Sequence, residues 1–226
     1  MTPGRSRLVQ ELADRVVALD LGHPIRLAID GVDAAGKTTL ANELVAPLHS
    51  RGRFVIRAGI DGFHYPRARR YQRGRTSPEG YFHDSFNLDA LIGHLLLPLG
   101  PGGTCSIRRA VFDYRIDSPI DVLEEVAPTN AILVFDGVFL QRSELRAHWD
   151  ATIYVDVPFD ISVKRAAQRD GWPPSVDAPE NRRYVEGQRI YMRECDPMAI
   201  ASVVIDNSDL SAPTIRVLRA PLVAGA

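Results

Sequence analysis

The residues most able to do chemistry lie in one stretch, Ile25 to Thr39. It contains Gly31-x-x-x-x-Gly36-Lys37-Thr38, the spacing of a phosphate-binding loop. Glycines at those positions let backbone N–H groups turn inward around a phosphate, and the N-terminus of a following helix adds its positive dipole end. Lys37 is expected to reach the β- and γ-phosphates, and the Thr38 hydroxyl to hold Mg2+. The loop residues Gly31, Asp33, Ala34, Ala35, Gly36, Lys37, Thr38 and Thr39 are the expected nucleotide contacts. Asp33 could instead only shape the turn.

Two further acids fit the same chemistry. Ile132-Leu133-Val134-Phe135-Asp136 is an apolar run ending in a carboxylate, the pattern that places Asp136 at a strand end where it can hold Mg2+. Asp61 follows a second apolar run, Phe54-Val55-Ile56. In an open parallel sheet the C-terminal strand ends line one crevice, so Asp61 would stand beside the loop and could take the proton of an attacking hydroxyl. An Asx-turn before Gly62 is the plainer reading of the same residue. His64, next to Tyr65-Pro66, reads either as a substrate contact or as a loop hydrogen-bonder.

The elements that must position these groups follow from periodicity. A helix is predicted over 6–19, a strand over 25–29, and a helix from the loop to about Ser50, with Leu40, Leu44 and Leu48 on one face. Further strands are expected at 54–56, 131–136, 153–157 and 203–205. Helices are expected at 87–97, 159–170 and 179–194, and a strand or hairpin within 104–114. Residues 59–86 show no clear period and read as a long substrate loop. It carries Arg67, Arg69, Arg70, Arg73 and Arg75, a solvated run or an anion clamp. Arg165 and Arg169 lie four apart and share one helix face, where they could stabilise a moving phosphoryl group. Gly171-Trp172-Pro173-Pro174 is a natural hinge for a flap that would exclude water.

Strands alternating with helices give an α/β fold with a mainly parallel sheet. At 226 residues, one domain spans 1–226, with a lid and flap at about 159–195 and the substrate loop at about 59–86. A net charge of -1 gives no global case for nucleic acid or an anionic membrane as partner. No apolar run is long enough to span a bilayer, and Met1 to Val17 lacks a signal-type apolar core. Cys105 and Cys195 make no metal-ligand spacing. A cytoplasmic protein acting on a small-molecule substrate is expected, with homo-oligomerisation left open.

The order of motifs carries a resemblance. The phosphate loop, Asp61-Gly62-Phe63-His64-Tyr65-Pro66, Ser77-Pro78-Glu79-Gly80-Tyr81, Phe112-Asp113-Tyr114, Asp136-Gly137 and Arg165-x-x-x-Arg169-Asp170 resemble the uridine kinase and phosphoribulokinase group of P-loop kinases, to which type I pantothenate kinases are related. The resemblance runs over roughly 25–209. It implies a three-layer P-loop NTPase fold with a small helical lid, ATP and Mg2+ as cofactors, and transfer of the γ-phosphoryl group to a hydroxyl. By the same resemblance Asp61 is the catalytic base, Lys37, Arg165 and Arg169 join it in catalysis, and Thr38 and Asp136 hold the metal. His64, Tyr65, Asp84, Phe112 and Arg115 are then expected to line the substrate, Asp84 on ribose hydroxyls and Phe112 on a base. Where uridine kinases carry a tyrosine and a histidine against the pyrimidine, this chain has Phe112 and Asp117. A nucleoside, uridine or cytidine, is the first acceptor implied; pantothenate or another small alcohol is the second. A switch ATPase is the reading from another class. No Asn-Lys-x-Asp base-reading motif appears, which speaks against a GTPase.

Overall fold

The computed structural model describes residues 1–219. The last residues of the expected 1–226 domain, 220–226, lie outside them. The first half of the chain holds α1 (Pro3–Val17), β1 (Ile25–Gly31), α2 (Lys37–Ser50), β2 (Phe54–Gly59), a 3-10 turn (Ile60–Phe63), α3 (Arg67–Arg70), α4 (Pro78–Asp84) and α5 (Leu88–Leu91). The second half holds four two-residue strands, β3 (Ser106–Ile107), β4 (Phe112–Asp113), β5 (Ser118–Pro119) and β6 (Glu125–Val126), then β7 (Ala131–Asp136), β8 (Ala151–Asp156), α6 (Phe159–Asp170), α7 (Arg182–Cys195), α8 (Pro197–Ile200), β9 (Val203–Asp206) and β10 (Thr214–Leu218).

Six strands form the central sheet in the order β10-β9-β8-β1-β7-β2. All neighbours pair in parallel except β10, which runs antiparallel to β9 at the edge. β1 sits between β8 and β7 and is buried at every residue, as a strand covered on both faces must be. Alternate residues feed two cores. Ile25, Leu27 and Ile29 join Val134 and Ile153 on the face covered by α1 and α2, where Leu40, Leu44 and Leu48 pack as the periodicity predicts. Ala28, Leu133, Phe135 and Tyr154 join Phe63, Phe82, Leu91 and Tyr191 on the other face, under α4, α5 and α7. Two helical layers around one sheet follow directly from that alternation.

Several expectations are corrected. α1 begins at Pro3, with Thr2 accepting from the Arg5 N–H as its cap, and ends at Val17 rather than 19. β2 continues past Ile56 to Gly59. The stretch 59–86 is largely helical in short pieces, because Ser77 caps α4 and Ile60, Phe63, Tyr81 and Phe82 bury themselves in the core. The helix expected over 87–97 is α-helical only at Leu88–Leu91 and then widens to π geometry through Leu96. Within 104–114, β3 and β4 do not pair with each other; β3 pairs with β6 and β4 with β5. α7 begins at Arg182 rather than 179, and β10 has no counterpart among the expected elements. Its residues alternate between exposed and half-buried, the weak pattern of an edge strand. No helix among the described residues is long and apolar enough to cross a membrane.

Candidate active site

Strand register decides which side chains meet. Asp136, the last residue of β7, pairs with Ile29 of β1 on one side and with Gly59 of β2 on the other. The loop after β1 and the turn after β2 therefore emerge on either side of the Asp136 carboxylate, at the C-terminal edge of the sheet. A cavity of about 820 Å³ opens there. Its walls come from the phosphate loop, the turn after β2, α3, α4, α6, α7 and the connection after β9.

The phosphate loop is fixed by two positions that exclude a side chain. Gly31 has φ 147°, and a Cβ there would lie 2.4 Å from the Val155 carbonyl oxygen of β8. Gly36 has φ 96°, and a Cβ would meet the Asn207 amide nitrogen at 2.7 Å. That amide is itself held by the Ala35 carbonyl at 2.7 Å. Gly31 and Ala35 are buried and stand off the cavity wall, whereas Asp33, Ala34, Gly36, Lys37, Thr38 and Thr39 line the cavity. Lys37 donates to the Val32 carbonyl at 2.7 Å. Burial pulls its ammonium below the ordinary lysine range, and Asp33, Asp30, Asp136 and Asp61 oppose that fall.

Two oxygen donors meet at the sheet edge. The Thr38 hydroxyl donates to Asp136 Oδ2 at 2.5 Å. The other oxygen, Oδ1, receives Arg57 Nη2 at 2.7 Å, and Arg57 Nε reaches Asn42 at 3.2 Å. A hydroxyl and a single carboxylate beside a phosphate loop fit Mg2+, which takes one or two carboxylates and completes its shell with phosphate oxygens and water. Among the described residues no cluster of three or more His, Cys, Asp or Glu side chains gathers elsewhere for a metal.

Asp61 lies in the 3-10 turn after β2, held there because Ile60 and Phe63 on either side are buried. Its side chain is 67% exposed and faces the cavity. His64 Nδ1–H donates to the Asp61 carbonyl at 3.0 Å. The His64 ring rests between Phe86 and Tyr114, with centroids 4.6 and 5.0 Å away. Burial holds its pKa below the ordinary histidine value. Arg165 and Arg169 line the cavity from α6. Arg165 Nη2 donates to the Asn207 and Ser208 carbonyls at 3.0 and 2.7 Å, and Arg169 forms a two-point pair with Asp170.

Four residues expected against the substrate stand elsewhere. Phe112 is buried in the core and Tyr114 takes its place on the cavity wall. Asp84 is 7% exposed, is ion-paired to Arg73 at 2.7 Å and stands off the cavity wall. Tyr65 carries the Arg69 guanidinium over its ring at 3.4 Å, and Arg115 points to solvent beside Tyr114. Asp117 turns toward Arg70 and the Arg67 N–H.

Around the site stand partners that the sequence did not single out, Tyr81 and Gln188 on the cavity wall and Arg57 behind Asp136. Asp33 accepts from Tyr81 of α4 at 3.1 Å and from Gln188 of α7, and its N–H donates to Gln188 Oε1 at 3.3 Å. Desolvation raises the Asp33 pKa, with Lys37 and Tyr81 opposing. Arg57 had one visible signal, a charge inside the apolar run Phe54 to Ala58. Gln188 had none.

No protein-family model matches the chain. Among curated proteins it is 30% identical over 148 residues to the uridine kinase of Leuconostoc citreum (strain KM20), covering 65% of this chain and 69% of that one. Among solved structures it superposes on a chain described as a possible uridine kinase from Bacillus stearothermophilus with a TM-score of 0.69 at 24% identity, over 87% of this chain and 96% of that one. It superposes on a chain described as a fructose transport system kinase from Silicibacter sp. TM1040 with a TM-score of 0.67 at 25% identity, over 86% and 96%.

Proposed function

From the premise that the chain belongs to the uridine kinase family of P-loop kinases, we propose that it transfers the γ-phosphoryl group of ATP to a hydroxyl of a small metabolite. The observation that carries this reading is one cavity lined both by Lys37 and Thr38 and by Asp61. A kinase needs a phosphate cradle and a proton acceptor facing a shared space from which water can be excluded.

The roles follow from the groups on the walls. Backbone amides of the loop and Lys37 hold the phosphates. Thr38 and Asp136 would hold Mg2+, which supplies charge neutralisation along the phosphate chain. Phe159, Val163, Ala166 and Leu210 give the cavity an apolar wall suited to a nucleotide base. Asp61 takes the acceptor's hydroxyl proton as the new O–P bond forms. The bond from the γ-phosphorus to the bridging oxygen breaks, and ADP departs. Arg169, close enough to Asp33 and Asp61 to feel both charges, supports charge on the moving group.

Kinship supports a nucleoside acceptor, uridine or cytidine. The placement of Asp84 and Phe112 away from the cavity wall supports a different small alcohol.

The test is ADP release from ATP and Mg2+ against nucleosides, hydroxy acids, sugars and sugar phosphates. Strong stimulation by one acceptor is expected, and Asp61→Asn should cut it by roughly 10²–10⁴-fold, the usual worth of a general base, with ATP affinity unchanged. Brisk hydrolysis indifferent to every acceptor and to Asp61→Asn would overturn the reading in favour of a switch ATPase.

A further inference from the structure

The cavity wall built by α3 and the start of α7 carries more positive charge than the acids around it balance. Arg70 and Arg183 both line the cavity, and they are only 7% and 5% exposed. The Tyr71 ring lies against both guanidinium groups, at 5.5 and 5.0 Å. Arg183 donates to uncharged oxygens: the Ser77 and Arg70 carbonyls at 3.1 Å, the Gly74 carbonyl at 3.5 Å and the Ser85 hydroxyl at 3.4 Å. Arg70 has one acidic partner, Asp117, at 3.3 Å. Among the described residues Arg70 Nε is buried with no hydrogen-bond partner. The more exposed Arg67 lines the same wall and draws on the same Asp117 through its backbone N–H, while its guanidinium donates to the Arg115 carbonyl.

The neighbouring acids do not supply the missing charge. Asp84 is engaged by Arg73, Asp33 by Tyr81 and Gln188, and Asp170 by Arg169. Asp61 faces the cavity as the proton acceptor of the proposed reaction. Buried guanidinium groups are normally matched by carboxylates, because a buried charge without a counter-charge is costly. Here the counter-charge is short, and both arginines lie on the wall of a cavity large enough for a ligand.

We propose that Arg70 and Arg183, with Arg67, form an anion subsite, so that the molecule phosphorylated carries a carboxylate or phosphate group as well as the hydroxyl offered to Asp61. This rests on the kinase reading above. A planar guanidinium fork binds either group at two points. It would fix the acceptor by its charged end and present its hydroxyl to Asp61.

The experiment separates the subsite from the phosphate loop. Protein saturated with Mg2+ and the non-hydrolysable analogue adenosine 5′-(β,γ-imido)triphosphate is titrated with inorganic phosphate, and separately with acetate, by calorimetry. A second-site anion is expected, weakened at least tenfold in Arg70→Gln and tightened in Asp117→Asn, which removes the one opposing charge. The Asp117→Asn arm runs in the opposite direction, so a folding defect in Arg70→Gln cannot imitate the result. Tighter binding of phosphate than acetate would assign a phosphorylated acceptor, and the reverse order a carboxylate. Absence of second-site binding to the saturated wild type, or binding indifferent to both variants, overturns the subsite whether or not the protein proves to be a kinase. In turnover, hydroxy acids or sugar phosphates should outperform the matching neutral alcohols and sugars, and Arg70→Gln should raise KM for the acceptor while KM for ATP holds. A neutral nucleoside turned over faster than every anionic acceptor would also overturn it.

Discussion

Asp30, one residue before the phosphate loop, is fully buried and receives donors from Tyr191, Gln141 and the Gly31 N–H. Desolvation outweighs these donors, so its pKa stands above the ordinary carboxylate value. The folded protein therefore binds this proton more tightly than the unfolded chain. Its contribution to stability is complete below the unfolded pKa of about 4 and is lost as pH rises through the folded value. Unfolding free energies of the wild type and Asp30→Asn, measured by urea between pH 4 and pH 8, should shift in favour of the variant as pH rises. A difference that stays flat would mean that the carboxylate is held in its ordinary range. At this same scale Arg57 matters: it shares Asp136 with Thr38, so the expected metal ligand arrives already oriented by a cation on the next strand.

At the scale of elements, the close contact between β1 and β8 dictates the loop. Gly31 passes the Val155 carbonyl at a distance that no side chain can share, in a backbone conformation that side chains rarely adopt. Gly31→Ala should cost at least ~2 kcal/mol from strain and clash together and should weaken ATP binding, both readable in one urea series with and without nucleotide. A stable variant with normal affinity would show that the loop can shift as a body. The short helices between β2 and α5 work differently. They are too short to persist alone, and tertiary burial of Phe63, Tyr81 and Phe82 holds them. They bring Asp61, His64, Arg70 and Tyr81 to the same cavity as Lys37.

Across the whole molecule, the site and the anchoring of the sheet lie at opposite ends of β1. At the N-terminal end Arg26 meets Asp150 through two guanidinium bonds of 2.9 and 2.7 Å, and its backbone N–H donates to the same carboxylate at 2.7 Å. Arg26 also reaches the Leu96 carbonyl at 3.3 Å, tying the sheet to the end of the widened helix after α5. Both partners are buried, so removing one charge strands the other. Asp150→Asn should lower unfolding free energy by about 3–5 kcal/mol. Nucleotide affinity of the folded fraction should be unchanged, because the phosphate loop emerges from the other end of the strand. Loss of affinity in step with stability would mean that the two ends are coupled.

Much of this was legible in the chain itself. The glycine spacing, the acids at or just after two apolar runs, and the alternation of apolar runs with helical periods are local signals, and each specifies its element before any long-range contact forms. They determined the phosphate loop, the mainly parallel sheet, Asp136 at a strand end and Asp61 just after one. The tertiary structure alone decided what depends on partners distant in sequence. Asp84 faces Arg73 instead of the cavity, Tyr114 replaces Phe112 on the wall, and Gln188 and Tyr81 close on Asp33. It also decided that, of the arginines in one polar run, Arg70 is buried beside Arg183 with too little opposing charge, while Arg69 stacks on Tyr65 and Arg73 pairs with Asp84. The reason is physical: a spacing rule reports which backbone turns a residue favours, whereas burial and counter-charge depend on which elements pack against it.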